Sequence, residues 1–239
     1  MIKFNIKKIE SEFKMLPLPT NHYFDKWPYT EFECKIFSRN LKSLDITNIK
    51  TKFKLDGKVI RKETHDVYIK DNYIAVLISH YAEISGATTI KESKQKWIKI
   101  KSDTHLIQTP HLRIPILVRK EIKLNPKSRH YTRWLNNIEN WYYLGKFDKT
   151  ALDISFWYDY NHYTMTIANA YTHKYSFSQM EIEYDGPESN NKNFSRKMVY
   201  SLFDKLFQRM FGDAIPPFET VTKAQWLSVI KNMGAFNEE

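Results

Sequence analysis

The sequence predicts an α+β fold, in which a mostly antiparallel β-sheet closes on itself and helices stand at the two ends of the chain. Three observations predict it. Two short runs alternate carboxylates with apolar residues: in Glu31-Phe32-Glu33-Cys34-Lys35 the charged positions share one face of a strand and Phe32, Cys34 and Ile36 share the other. In Met180-Glu181-Ile182-Glu183-Tyr184-Asp185 the same alternation sets Glu181, Glu183 and Asp185 against Met180, Ile182 and Tyr184. These runs lie far apart, separated by a succession of β-rich segments, so a sheet that brings them together closes on itself. Beyond residue 194 the apolar period changes from that of a strand to that of a helix. Four carboxylates converging on one space repel by roughly 4 kcal/mol per close pair at an effective dielectric near 20, and a divalent cation resolves that repulsion.

The chain of 239 residues, 42% of them apolar, is long enough to fill the core of one domain. Its 37 Lys and Arg against 27 Asp and Glu give a net charge of +10, which points to a polyanionic partner: nucleic acid, polyphosphate or an acidic membrane surface. One cysteine excludes an intrachain disulfide and a cysteine-based zinc cluster, and fits a reducing, intracellular location in cytoplasm or nucleus. No apolar run has the length of a membrane span, and the opening Met-Ile-Lys-Phe-Asn-Ile-Lys-Lys lacks the apolar centre of a signal peptide, so a soluble protein with no membrane partner is expected.

In chain order, Phe4, Ile6, Ile9, Phe13 and Leu16 recur at a helix-like spacing that Pro17 and Pro19 end, and residues 21–28 read as a loop into the first acidic strand. Short β-rich runs follow at Thr51 to Leu55, Val59 to Tyr68, Tyr73 to His80, Lys96 to Lys101 and Leu112 to Leu124. Asp56-Gly57, Lys70-Asp71-Asn72 and Ser85-Gly86 read as the turns between them, the pattern of an antiparallel meander. Leu135 to Tyr143 fits a short helix or a strand equally well. Leu152 to Tyr158 and Tyr163 to Ala168 lead to the second acidic strand, which Gly186-Pro187 ends. Phe194, Met198, Leu202, Phe203, Leu206, Phe207 and Met210 form one face of a helix opposite Arg196, Lys197, Lys205 and Arg209. A capped final helix over Thr222 to Asn232 has Trp226, Leu227 and Ile230 as its apolar contacts.

Glu31-Phe32-Glu33-Cys34-Lys35 resembles the Glu-x-Glu-x-Lys signature of the triphosphate tunnel metalloenzymes, the CYTH superfamily, and Glu181-Ile182-Glu183 resembles its closing acidic strand. Thr64-His65-Asp66-Val67-Tyr68 is similar to the strand that often follows the signature. The resemblance implies a closed eight-stranded antiparallel barrel with a polar lumen and helices packed outside, in a single domain over 1–239: an N-terminal helix within 1–20, barrel strands over 28–185 and C-terminal helices within 191–234. Within the superfamily the sequence is most similar to the metal-dependent RNA 5′-triphosphatases of fungal, protist and large-virus mRNA capping. Leu112-Arg113-Ile114-Pro115-Ile116 resembles their Arg-bearing strand, Lys127-Ser128-Arg129 their Lys-x-Arg step, and Asp153-Ile154-Ser155 their Asp-x-Thr step with Ser for Thr; Thr164 or Thr166 fits that role equally.

Carboxylate oxygens are the hard ligands that Mg²⁺ and Mn²⁺ prefer. The resemblance implies that Glu31, Glu33, Glu181 and Glu183 hold Mg²⁺ or Mn²⁺, with Lys35 beside them, while Arg113, Lys127, Arg129, Lys99 and Arg119 grip phosphate oxygens. Lys101, Glu121 and Lys123 are further lumen candidates. The implied activity is removal of the γ-phosphate from 5′-triphosphate RNA or another triphosphate, with a guanylyltransferase domain or subunit as a possible partner in capping. Inorganic tripolyphosphate as substrate, and an RNA-binding β module without catalysis, are the competing readings. Cys34 belongs to the core by its alternation, and no His-x-x-x-His or His-Glu spacing supports zinc. Trp141-Tyr142-Tyr143 and Phe156-Trp157-Tyr158, beside basic residues, suit packing under helices better than base stacking, and Lys54-Leu55-Asp56-Gly57 reads as a hairpin turn.

Overall fold

A computed structural model describes residues 29–36, 47–85, 88–93, 97–172, 175–187 and 196–233. The expected N-terminal helix and the loop over 21–28 lie outside these residues. The described chain runs β1 (Tyr29–Ile36), α1 (Thr47–Lys52), β2 (Lys54–Lys70), β3 (Tyr73–Ser85), β4 (Thr88–Ser93), β5 (Trp97–Gln108) and β6 (Pro115–Leu124). It continues through α2 (Arg129–Leu135), one 3₁₀ turn (Ile138–Asn140), β7 (Tyr142–Tyr158), β8 (Asn161–Thr172), β9 (Tyr175–Pro187), α3 (Arg196–Phe211) and α4 (Lys223–Asn232).

Eight strands form a closed antiparallel barrel in the order β2-β7-β8-β9-β1-β6-β5-β3, with β3 pairing back onto β2. The ninth strand, β4, extends outside it: the second edge of β3 is shared, Ile74 to Ile78 pairing with β5 and Tyr81 to Ser85 with β4. Closure leaves the eight barrel strands without a free run of backbone donors and acceptors along the seam. The turns follow the sequence where small loops need left-handed backbone. Asp71 (φ 52°) makes the β2–β3 turn, and Asp159 and Tyr160 (φ 49° and 58°) make the β7–β8 turn.

The barrel is built with its apolar face outward. Phe32, Cys34 and Ile36 of β1, Leu152, Ile154 and Phe156 of β7, and Met180, Ile182 and Tyr184 of β9 form one buried cluster with Val199, Phe203, Leu206 and Phe207 of α3. The helix thus covers the outer wall through residues three and four apart, and full burial of side chains such as Phe203 and Phe207 stabilises by about 2–3 kcal/mol each. Its buried stripe holds Leu202, Phe203, Leu206, Phe207 and Met210 as the sequence pattern placed them, with Val199 in place of Met198, which stays 45% exposed.

Three other local expectations are corrected. Thr51 and Lys52 end α1 rather than opening a strand, because Ile49 and Phe53 bury against the outer wall at helical spacing. Asp56-Gly57 is no hairpin turn: β2 pairs with β7 along almost its whole length, and the extra residue is absorbed as an irregularity between Leu55 and Gly57. Leu135 to Tyr143 is neither one helix nor one strand but the end of α2, the 3₁₀ turn and the start of β7.

Candidate functional site

Register decides what the lumen contains. Glu31 lies opposite Arg119, Glu33 opposite Glu183 and Lys35 opposite Glu181, and partners across an antiparallel ladder project to the same face. With Phe32, Cys34 and Ile36 committed to the outer core, these charged positions point inward and line a cavity of ≈ 130 Å³. Arg61, Glu63 and His65 of β2, Lys99 and Lys101 of β5, Lys149 of β7, and Thr164 and Thr166 of β8 line it too. At one end the lining turns apolar with Val67, Ile74, Val76 and Phe147, and α4 packs there through Trp226, Leu227 and Ile230. Lys223 enters the cavity from the first turn of α4, fixed by the Thr222 capping box.

Within the lumen most charges neutralise one another. Lys35 Nζ is 2.8 Å from Glu33 and 2.6 Å from Glu181, and Lys223 Nζ is 2.8 Å from Glu181. Arg119 bridges Glu31 and Glu33, the second contact at 2.7 Å, and Lys101 joins Glu31 to Glu121 at 3.0 Å each. Across the barrel Arg61 pairs with Asp153 and Glu63, which also accepts from Lys149 at 3.3 Å and contacts His65 at 3.0 Å.

Glu183 is the exception. Among the described residues it has no ion-pair or hydrogen-bond partner. Burial, followed by the charges of Glu31, Asp185 and Glu121, pushes its carboxyl well above the ordinary range. Burial also works against ionisation of Glu33, but Arg119 and Lys35 outweigh it and hold that carboxyl at about 2. Glu181 is likewise held low against burial, by Lys223 and Lys35. Burial lowers Lys223 to about 8 and His65 to about 4.

The structure therefore brings Glu31, Glu33, Glu181, Glu183 and Lys35 to one cavity, together with Lys99 and Arg119. Lys123 lies within electrostatic reach of Glu183, and burial, then Lys99, lowers it to about 7. Arg113, Lys127 and Arg129 are not brought there; all three are exposed. The turn carrying Arg113 (φ 56°) is tied to the outer helix by Asp204 of α3, which accepts from the Thr109 hydroxyl and from the His111 and Leu112 amides at 2.9 and 3.0 Å. Lys127 and Arg129 flank the start of α2, outside the barrel. Asp153 accepts from Arg61 and from the Thr166 hydroxyl, so the chain's Asp-x-Ser step and Thr166 meet in one network.

Arg61, Glu63, His65, Lys149 and Lys223 were not singled out from the sequence. Lys62, Thr64 and Asp66 on the other face of β2 are as polar as the inward residues, so alternation there carries no directional signal. Lys223 arrives on a helix; its place directly after the Thr222 cap was the available clue.

No family model matches the sequence, and no curated protein matches it. Solved structures similar to the chain include a protein from Hippeastrum described as an adenylyl cyclase with dominant triphosphatase activity (13% identity, covering 86% of this chain and 95% of that one, TM-score 0.46). Another is the mimivirus capping enzyme triphosphatase (11% identity, 86% and 95% covered, TM-score 0.46). A third is in the Mediator head module of Schizosaccharomyces pombe (10% identity, 81% and 99% covered, TM-score 0.46). The closed antiparallel barrel, with its charged lumen, has the tunnel architecture that resemblance to the triphosphate tunnel metalloenzymes implies.

Proposed function

We propose that the protein is a metal-dependent triphosphatase that removes the γ-phosphate of triphosphate-ended RNA, with the barrel lumen as its active site. The observation that carries this reading is the unpartnered Glu183, set opposite Glu33 and crowded by Glu31, Asp185 and Glu121 inside a cavity otherwise full of paired cations. Among the described residues no three His, Cys, Asp or Glu side chains form a ready cation cage, because Lys35, Lys101 and Arg119 stand between the carboxylates. The donor chemistry nonetheless fits a hard divalent ion: burial and the crowding carboxyl groups of Glu31, Asp185 and Glu121 keep Glu183 protonated, and a cation set among them would favour its ionised form. Glu31, Glu33 and Glu183, with Glu181, would hold Mg²⁺ or Mn²⁺. When bound, the ion would neutralise charge on phosphoryl oxygens and acidify an attacking water.

The chain's own residues supply the remainder by exchanging partners. A triphosphate entering the lumen offers Lys35, Lys101, Arg119 and Lys223 phosphate oxygens in place of carboxylates, and Arg119 is suited to a two-point grip. The carboxylates thereby released are the ones a cation needs, so the two ligands favour each other's entry. Arg61, held by Asp153 and Glu63, and Lys149 line the opposite wall and can orient the phosphate chain for in-line attack. Products are inorganic phosphate and a 5′-diphosphate end, the acceptor that a guanylyltransferase partner would use.

Release of γ-phosphate from 5′-triphosphate RNA in Mn²⁺ or Mg²⁺ tests the reading. Expected is metal-dependent release lost in Glu183→Gln and Glu33→Gln. Intact RNA in the presence of either metal would overturn it. Hydrolysis of tripolyphosphate with none of RNA would instead assign the same lumen to inorganic triphosphates.

A further inference from the structure

A second cavity lies on the outer face of the barrel, away from the lumen. Its floor is Ile100 of β5 with Ile122 and Leu124 of β6, and its wall is α2 with the 3₁₀ turn that follows. Alternation separates the two sites: Lys99, Lys101 and Arg119 face inward, so Ile100 and Ile122 face out. The groove measures ≈ 500 Å³, within the range that holds a nucleotide-sized ligand.

Its lining joins aromatic surface to positive charge. Trp134 and Trp141 sit together with ring centroids 5.7 Å apart, and Trp134 is braced from below by Tyr68 at 5.5 Å. His130 and Trp134, four residues apart on α2, share a helix face, with Arg133 at its margin and Lys70 reaching in from the β2–β3 turn. Among the described residues no carboxylate lines the groove, and Glu139, the only one between Arg129 and Asn140 in the sequence, lies outside the lining. Among the described residues the side chains of Lys70, His130 and Arg133 make no ion pair or hydrogen bond, and all three are exposed. Trp134 is 7% exposed, yet its indole Nε1–H has no acceptor among the described residues. A buried donor left without an acceptor costs free energy that an incoming acceptor can recover.

We propose that this groove binds a stretch of single-stranded RNA, with a base against Trp141 and the flanking phosphates at Lys70 and Arg133. Stacking on an aromatic surface beside cations is how proteins hold unpaired strands with little sequence preference. Asn137 and Asn140, also in the lining, offer amide groups that can both donate to and accept from base edges and the ribose 2′-hydroxyl. The groove goes beyond the triphosphatase reading: it gives the body of an RNA a track that the lumen does not provide.

The test uses an RNA that lacks any terminal phosphate, so that lumen binding does not enter. Fluorescence anisotropy with a labelled 5′-hydroxyl single-stranded RNA should show binding by the native protein. The doubly reversed Lys70→Glu/Arg133→Glu protein, altered only at exposed positions, should lose about tenfold or more in affinity and show a shallower salt dependence. Trp141→Ala should weaken binding by a similar factor, as expected for loss of one stacked base. Both variants should hydrolyse tripolyphosphate at the native rate. Native-strength RNA binding by the double reversal overturns the proposal, as does loss of binding only on substitution in the lumen. Absence of tripolyphosphate and triphosphate-RNA hydrolysis in the native protein would sink the lumen reading alone, with the groove still judged by RNA affinity.

Discussion

Glu33 and Glu183 are direct partners across the β1–β9 ladder, yet their surroundings separate them in charge. Glu33 shares Arg119 and Lys35, while Glu183 faces burial and three other carboxylates with no ion-pair partner among the described residues. A carboxyl whose folded value is raised binds a proton that the unfolded chain does not need, so its contribution to stability disappears as pH rises from the ordinary carboxylate range through the folded value. Glu183→Gln should therefore stabilise the metal-free protein at pH 8 by about 1–3 kcal/mol in denaturant titration while abolishing metal-dependent phosphate release. A variant less stable than the native protein would show that Glu183 is satisfied by something else.

The exchange of partners in the lumen predicts coupled ligands. Tripolyphosphate alone would draw Lys35, Lys101 and Arg119 away from Glu31, Glu33 and Glu181 and leave those carboxylates buried and unpaired. Calorimetric titration should show binding of non-hydrolysed triphosphate analogues at least about tenfold tighter with Mn²⁺ than in chelator, a coupling on the order of 1.4 kcal/mol. Equal affinity in both conditions would remove the reason for placing the ion among these glutamates.

His65, buried against Phe147 with ring centroids 4.8 Å apart, has its pKa lowered by burial from its ordinary 6.5 to about 4 despite its contact with Glu63. The unfolded chain takes up this proton first as pH falls, so the stability supplied by neutral His65 is present above 6.5 and is lost between there and about 4. That window corresponds to up to about 3 kcal/mol. Unfolding measured across it should show a shallower acid loss in His65→Gln than in the native protein, and parallel curves would contradict the assignment.

Asp204 ties the turn before β6 to α3 with three accepted hydrogen bonds, two from backbone amides. Asp204→Ala leaves those donors unpaired near the outer core and should cost about 2–4 kcal/mol, read by thermal unfolding. It should leave phosphate release per folded molecule unchanged, since the turn lies outside the lumen. A large drop in specific activity would show instead that the position of Arg113 matters to catalysis.

Much of the architecture was legible in local patterns. On β1 and β9 one face is apolar and the other acidic, and that contrast told both which side is buried and that the acidic side faces a shared space. The α3 stripe was legible within one residue for the same reason, a covered face against a wet one. Where both faces of a strand are polar, as along Arg61 to Asp66, alternation has nothing to contrast, and Arg61, Glu63 and His65 went unread.

Composition and periodicity thus sufficed for the α+β class, the two acidic strands, the outer helix and the basic surplus, because each is a property of residues close in the chain. Which cations meet the glutamates was decided only when the sheet closed. Pairing register and strand tilt aim Lys101, Arg119 and Lys149 inward, swing Lys223 into one end on a helix, and leave Arg113, Lys127 and Arg129 on the outside. Charge partners in a barrel are set by contacts between strands far apart in sequence, and no short window of residues contains that information.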